Sequence, residues 1–78
     1  MITIYGTPTC ANCKQTKLVL EAAQIQYEYK SIGADIQREE FFDMFATLGL
    51  TAPRTVPQIF NDAEYIGGFD ELKRWLQK

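Results

Sequence analysis

Ile2-Thr3-Ile4-Tyr5-Gly6-Thr7-Pro8-Thr9-Cys10-Ala11-Asn12-Cys13-Lys14 holds the transition on which the fold turns. Ile2 and Ile4 alternate with Thr3 and Tyr5 until Gly6 and Pro8 interrupt them, the pattern of a short buried strand running into a loop. From Cys10 the period lengthens. Lys14, Lys17, Glu21 and Gln24 recur at steps of three and four, while Leu18, Ala22 and Ile25 fall on another face, which predicts an amphipathic helix. Two cysteines therefore sit where a strand hands over to a helix.

Working outward, Ile25, Tyr27 and Tyr29 alternate with Gln26, Glu28 and Lys30, which predicts a strand with one solvated face. Asp35 is placed to cap a second helix, in which Glu39 and Glu40 suit the N-terminal dipole, Phe41, Phe45 and Leu48 share a face, and Gly49 supplies the stop. Leu50 to Thr55 reads as loop. Val56 to Phe60 and Glu64 to Ile66, parted by Asn61 and Asp62, read as a β-hairpin ended by Gly67 and Gly68. Phe69, Leu72 and Leu76, with Trp75 beside them, predict a last helix, with Lys73, Arg74 and Lys78 toward its C-terminal end. The order βαβαββα is that of an α/β fold. A crossover makes the first two strands parallel, and the hairpin joins the same sheet to bury its apolar face, giving a four-stranded mixed sheet with helices on both faces.

Seventy-eight residues are enough for one domain, spanning 1–78, and leave no material for a second core. Hydrophobic residues at 46% and charged residues at 23% exclude a disordered or fibrous chain. Eight basic against ten acidic residues, with no Lys/Arg stripe, argue against nucleic-acid binding. The start carries no basic segment ahead of an apolar one, and no apolar run approaches the length of a membrane span, so a soluble protein without membrane attachment or export signal is expected. The sequence has no histidine. That removes Ser-His-Asp and Cys-His hydrolases, two-His zinc proteases and the usual general base of neutral pH.

Cys10 and Cys13 are the only cysteines. At a helix N-terminus, unpaired N–H groups and the dipole favour a thiolate, which makes Cys10 the expected nucleophile. A three-residue step is close to one helical turn, so Cys13 comes round to the same side as the expected resolving thiol. Three other readings fit a Cys-x-x-Cys pair. A disulfide staple would close a loop of only a few residues and restrain the unfolded chain by roughly 2 kcal/mol. Structural zinc would have half of its four ligands. Two inert buried thiols would have no reason to fall at this junction.

With Cys10-Ala11-Asn12-Cys13, Thr55-Val56-Pro57-Gln58-Ile59-Phe60 and Ile66-Gly67-Gly68-Phe69-Asp70 in this order and spacing, the chain resembles the short single-domain glutaredoxins of bacteria and bacteriophages. The resemblance implies a thioredoxin-like fold and a thiol-disulfide oxidoreductase. It implies a cis Pro57 facing the cysteines, where the residues alone leave an edge-strand proline equally open. It also implies glutathione as reductant and no metal. Thr55, Val56 and Pro57 would meet the cysteinyl main chain of glutathione. Gly67 and Gly68 would allow close approach, and the N–H groups of Phe69 and Asp70 would receive the γ-glutamyl carboxylate. Asp70 would accept from the ligand's ammonium group while also serving as an N-cap, and Arg54 would meet the glycine carboxylate.

Two departures from the common pattern stand out: Ala11 and Asn12 lie where many members have Pro and Tyr, and Thr7 where many have Lys. Lys14 and Lys17 suit either an anionic substrate, the Cys10 thiolate or a solvated face, and Phe41, Phe42 and Phe45 read as core. The resemblance implies a cytoplasmic monomer, in a host cytoplasm if of phage origin. It would reduce protein disulfides or glutathionylated thiols, with ribonucleotide reductase among such partners. The alternatives are a glutaredoxin-like thioredoxin reduced by a flavoenzyme, a glutathione-assisted iron-sulfur carrier built from two chains, and a redox-inert module that only binds partners.

Overall fold

The computed structural model describes residues 1–51 and 53–77. Ala52, in the expected loop, and Lys78, expected to add charge at the C-terminal end, lie outside the described residues. The elements are β1 (Ile2–Gly6), α1 (Ala11–Ala22), β2 (Tyr27–Ser31), α2 (Arg38–Thr47), β3 (Gln58–Asn61), β4 (Glu64–Gly67) and α3 (Phe69–Leu76). The strands form one sheet in the order β2-β1-β3-β4. β1 runs parallel to β2 and antiparallel to β3, and β3 and β4 form the hairpin.

Alternation along the strands sends side chains to two cores. Ile2, Ile4 and Ile59 meet Leu20 of α1 and Leu72 of α3 on one face. Tyr5 and Phe60 meet Phe41 and Phe45 of α2 on the other. Helices thus cover both faces, as the element order requires. The second core is aromatic: the Phe45 and Phe60 rings lie 5.6 Å apart and the Tyr5 and Phe60 rings 5.9 Å, both edge to face, geometry worth about 0.5–1.5 kcal/mol per pair beyond area burial.

Two helices end by the same device. Gly49 takes φ +74° and donates to the Ala46 carbonyl, while Leu50 donates to Phe45 and joins that residue's core. At the end of α1 the left-handed residue is Gln24, at φ 58°, donating to Glu21, while Ile25 donates to Leu20 and packs on the core that holds Leu20. Ile25 is therefore a linker anchor, and α1 stops short of it.

Other expectations need correction. The docked stripe of α1 is Cys13, Thr16 and Leu20, while Leu18 is 57% exposed. Thr16 tolerates burial because its hydroxyl donates to the Asn12 carbonyl at 2.7 Å. Asp35 does not cap α2. Gln37 holds that position, and the Asp35 carboxylate accepts from Ser31 N–H at 2.8 Å, closing the turn after β2. Leu48 is the C-cap of α2 and 47% exposed, so only Phe41 and Phe45 of the expected trio are buried. Gly68, not Asp70, is the N-cap of α3, and the Glu71 carboxylate accepts from Gly68 N–H at 3.1 Å. β1 continues through Gly6, which pairs with Ser31, and β3 begins at Gln58 and leaves Val56 and Pro57 in the preceding segment.

Phe45→Ala should destabilise the fold by about 3–5 kcal/mol through a cavity in the aromatic core, whereas Leu18→Ala should change it by less than about 0.5 kcal/mol. Urea denaturation of the two variants checks the contrast.

Candidate functional site

β1 ends at Gly6, and the turn over Thr7, Pro8 and Thr9 delivers Cys10 to the N-cap of α1, in extended backbone with φ −88° and ψ 119°. An N-cap side chain points back at the first free N–H groups of its helix. Here that side chain is a thiol, and Cys13 N–H donates to the Cys10 sulfur at 3.2 Å. The Cys10 thiol in turn donates to the Val56 carbonyl at 3.6 Å.

The two sulfurs differ in access. Cys10 is partly exposed, whereas Cys13 is 1% exposed. Burial above all, then the neighbouring Cys10 sulfur, pushes the Cys13 thiol up to about 11, against the opposing pull of the Thr7 backbone and Tyr29. Cys13 is therefore a protonated thiol at neutral pH, behind the partly exposed Cys10 sulfur. Both are free thiols.

Gly6 makes this arrangement possible. A Cβ on Gly6 would lie 2.5 Å from the Cys13 sulfur and 2.5 Å from the Tyr29 hydroxyl. Alternation alone marks Gly6 as the break that ends the strand. The missed signal is a glycine at the last position of a buried strand, which marks a close approach of other groups to the backbone. Tyr29 donates to the Thr7 carbonyl at 3.0 Å, and the Lys17 ammonium lies 4.6 Å from the centre of its ring. Lys14 is exposed.

The opposite wall is the segment from Thr55 to Gln58. The Val56–Pro57 bond is cis, as the resemblance implied, and Pro57 is buried. Buried Gln58 secures the segment by donating to the Thr55 carbonyl at 2.8 Å and accepting from the Tyr65 hydroxyl at 2.6 Å. Sequence reading assigned neither Gln58 nor Tyr65 a part in the site.

Thr55 and Val56 form a ledge between two hollows. One, of about 240 Å³, is lined by Thr55, Val56 and Pro57 together with Gly68, Phe69 and Asp70, plus Asn12 and Glu71. The structure thus gathers six of the expected binding residues around one hollow. The other, of about 400 Å³, holds Arg54 with Thr7, Phe41, Phe42 and Arg38. Arg54 therefore lies across the ledge from Asp70. Arg38, its guanidinium 5.4 Å from the Phe42 ring centre, is a site candidate that sequence reading missed. Its signal was a cation at the first position of a helix, where the dipole disfavours positive charge. Asp70 is exposed and forms a surface ion pair with Lys73 at 3.5 Å. Gly67, at φ +124°, turns the chain into α3, where a side chain would meet Glu71. Among the described residues no group of three or more His, Cys, Asp or Glu side chains is arranged to hold a metal ion.

The family model for glutaredoxin matches residues 2–66. Glutaredoxin 3 of Escherichia coli strain K12 is 35% identical over 71 residues, covering 91% of this chain and 80% of its own. Glutaredoxin 1 from Francisella tularensis, crystallised with cacodylate, superposes with a TM-score of 0.78 at 36% identity, over 99% of this chain and 96% of its own. A buckwheat glutaredoxin solved as a glutathione complex shares the fold, with a TM-score of 0.71 at 24% identity over 97% of this chain and 67% of its own.

Iodoacetamide at neutral pH should alkylate Cys10 far ahead of Cys13, and Cys13 should react only as the pH climbs toward about 11, where its thiolate forms. Fragmentation mass spectrometry locates the adducts. Gly6→Ala should destabilise the protein by about 1–3 kcal/mol, because the new methyl displaces the Cys13 sulfur and the Tyr29 ring; thermal unfolding measures it.

Proposed function

This chain belongs to the glutaredoxin family of thiol-disulfide oxidoreductases, and on that footing we propose that glutathione is its reductant and that it acts as a cytoplasmic monomer on protein disulfides and glutathionylated thiols. The observation that carries this reading is the hollow in which the Thr55-Val56-Pro57 ledge faces Gly68, Phe69 and Asp70 beside the accessible Cys10. The fold shared with a protein solved in complex with glutathione supports it.

The chemistry starts at Cys10. Its thiolate attacks one sulfur of the substrate disulfide, forming a mixed disulfide and expelling the other sulfur as a thiolate that takes up a proton. Two resolutions follow. From a glutathionylated thiol the mixed disulfide carries glutathione, and a second glutathione thiolate attacks that glutathione sulfur, releasing glutathione disulfide and regenerating Cys10; from a protein disulfide, Cys13 attacks Cys10, expels the second substrate sulfur as a thiol and leaves an intramolecular disulfide. Two glutathiones later return that disulfide to the dithiol and leave as glutathione disulfide. Either route moves two electrons to the substrate.

Each part of glutathione has a counterpart in the site. The Val56 carbonyl, which binds the Cys10 thiol in the free protein, loses that donor once Cys10 enters a disulfide and becomes available to the cysteinyl N–H of the ligand. The N–H groups of Phe69 and Asp70 open α3 and suit the γ-glutamyl carboxylate, while the Asp70 carboxylate accepts from the ammonium group. Across the ledge, Arg54 and Arg38 provide for the glycine carboxylate, where Thr7 brings no charge.

Reduction of a disulfide substrate should proceed with glutathione and glutathione reductase and not with thioredoxin reductase. Asp70→Ala should raise the KM for glutathione about tenfold, the worth of one charge-assisted hydrogen bond. Turnover with thioredoxin reductase alone would select the flavoenzyme-coupled alternative. An unchanged KM in a normally folded variant would remove Asp70 from the binding site.

A further inference from the structure

The resolving thiol has a difficulty that the mechanism leaves unanswered. Cys13 must become a thiolate to attack the mixed disulfide, yet it is buried and raised to about 11. The chain has no histidine to take the proton. The groups facing Cys13 are few. From its own helix comes the Cys10 sulfur, which is consumed in the mixed disulfide. From the turn before α1 comes the Thr7 backbone. From β2 comes the Tyr29 phenol, with the Lys17 ammonium over its ring. α3, which also packs on α1, brings no ionisable group that acts on Cys13.

The Tyr29 hydroxyl and the Cys13 sulfur converge on one spot, both 2.5 Å from where a Gly6 side chain would begin, and the hydroxyl is 3.0 Å from the Thr7 carbonyl. A phenol carries one proton to donate and can turn it about its C–O bond. We propose that Tyr29 is the donor that stabilises the Cys13 thiolate during resolution, its hydroxyl turning from the Thr7 carbonyl to the sulfur as Cys13 loses its proton. Burial and the two cysteines hold the phenol well above the ordinary tyrosine range, so it stays protonated and remains a donor at neutral pH. A donor to the charged form lowers the work of ionising a buried group. The Lys17 ammonium over the ring adds to this, because negative charge drawn into the phenol by the new hydrogen bond strengthens the cation–π contact.

In the step itself, a new sulfur–sulfur bond forms between Cys13 and Cys10 as the bond from Cys10 to the substrate sulfur breaks. The Cys13 proton ends on the departing thiolate, which leaves as a thiol. Tyr29 lends a hydrogen bond and keeps its own proton throughout.

The inference rests on Cys13 as the resolving thiol, and its test avoids glutathione so that the two can fail separately. Reduced protein mixed with dithiobis(nitrobenzoate) should release two coloured thiolates in turn. The first release depends on reagent concentration and reports Cys10, and the second is independent of it and reports resolution by Cys13. In Tyr29→Phe the second phase should slow about tenfold near neutral pH, and the midpoint of its pH profile should rise by about one pH unit. A midpoint that stays put overturns the proposal even if the rate falls, because loosened packing alone does not move a titration. If Tyr29→Phe does not fold, fluorotyrosine placed at position 29 gives the opposite arm: a more acidic phenol is a stronger donor and should shift the midpoint down, and no shift overturns the proposal. Absence of a second phase in the unmodified protein overturns both this role and the resolving role of Cys13. Failure with glutathione alone leaves the two phases intact and overturns only the choice of reductant.

Discussion

The Cys13 sulfur lies against the backbone at the end of β1, in the space that a side chain on Gly6 would need. Most of the site follows from this contact. With Cys13 turned toward the sheet, Thr16 and Leu20, one and two turns further on, face the same way, and Leu18 is carried outward. The rotation of α1 is thus set by a thiol as much as by its aliphatic residues. One turn back, the same rotation leaves Cys10 at the helix mouth, facing the Val56 carbonyl. Burying one cysteine in this way presents the other.

Two identical side chains, three residues apart, end in opposite environments. The Cys10 sulfur has partial access to solvent and receives an N–H from the first turn of α1. The Cys13 sulfur has lost its water and holds its proton tightly. This difference separates the two sulfurs by access, one open to solvent and the other behind it. The surroundings that protect Cys13 are a backbone turn and a phenol, so the proton must be handled without a carboxylate or an imidazole at hand.

Polar contacts help to hold the wall opposite the cysteines. Gln58 is buried yet satisfied on both sides of its amide, and this fastens the Thr55 to Pro57 ledge to Tyr65 on the neighbouring strand. The ledge divides the two hollows. The N-terminus of α3 and Asp70 lie on one side, and Arg38 and Arg54 lie on the other. An extended ligand laid along the ledge therefore meets N–H groups and a carboxylate at one end and cations at the other, which suits a short peptide with charges at both ends.

Local periodicity in the sequence determined the element order, the sheet composition and the coverage of both faces, because strand and helix periods are properties of contiguous residues. It also determined the place of Cys10 at the mouth of α1 and the Gly49 stop, which depend on neighbours within one turn. The resemblance located the Thr55 to Pro57 and Gly68 to Asp70 segments, and folding brought those six residues to one hollow. Tertiary structure decided what a helical pattern leaves open. Of several stripes that α1 offers, docking chose Cys13, Thr16 and Leu20, with the Cys13 sulfur in the space that Gly6 leaves open. It moved the cap of α2 from Asp35 to Gln37, since the Asp35 carboxylate found a closer donor in Ser31, and it put Gly68 rather than Asp70 at the cap of α3. Arg38, Gln58 and Tyr29 entered the site for the same reason. Each lies far from the cysteines in sequence and reaches the site through strand register or through the packing of α2 against the sheet, which no local pattern records.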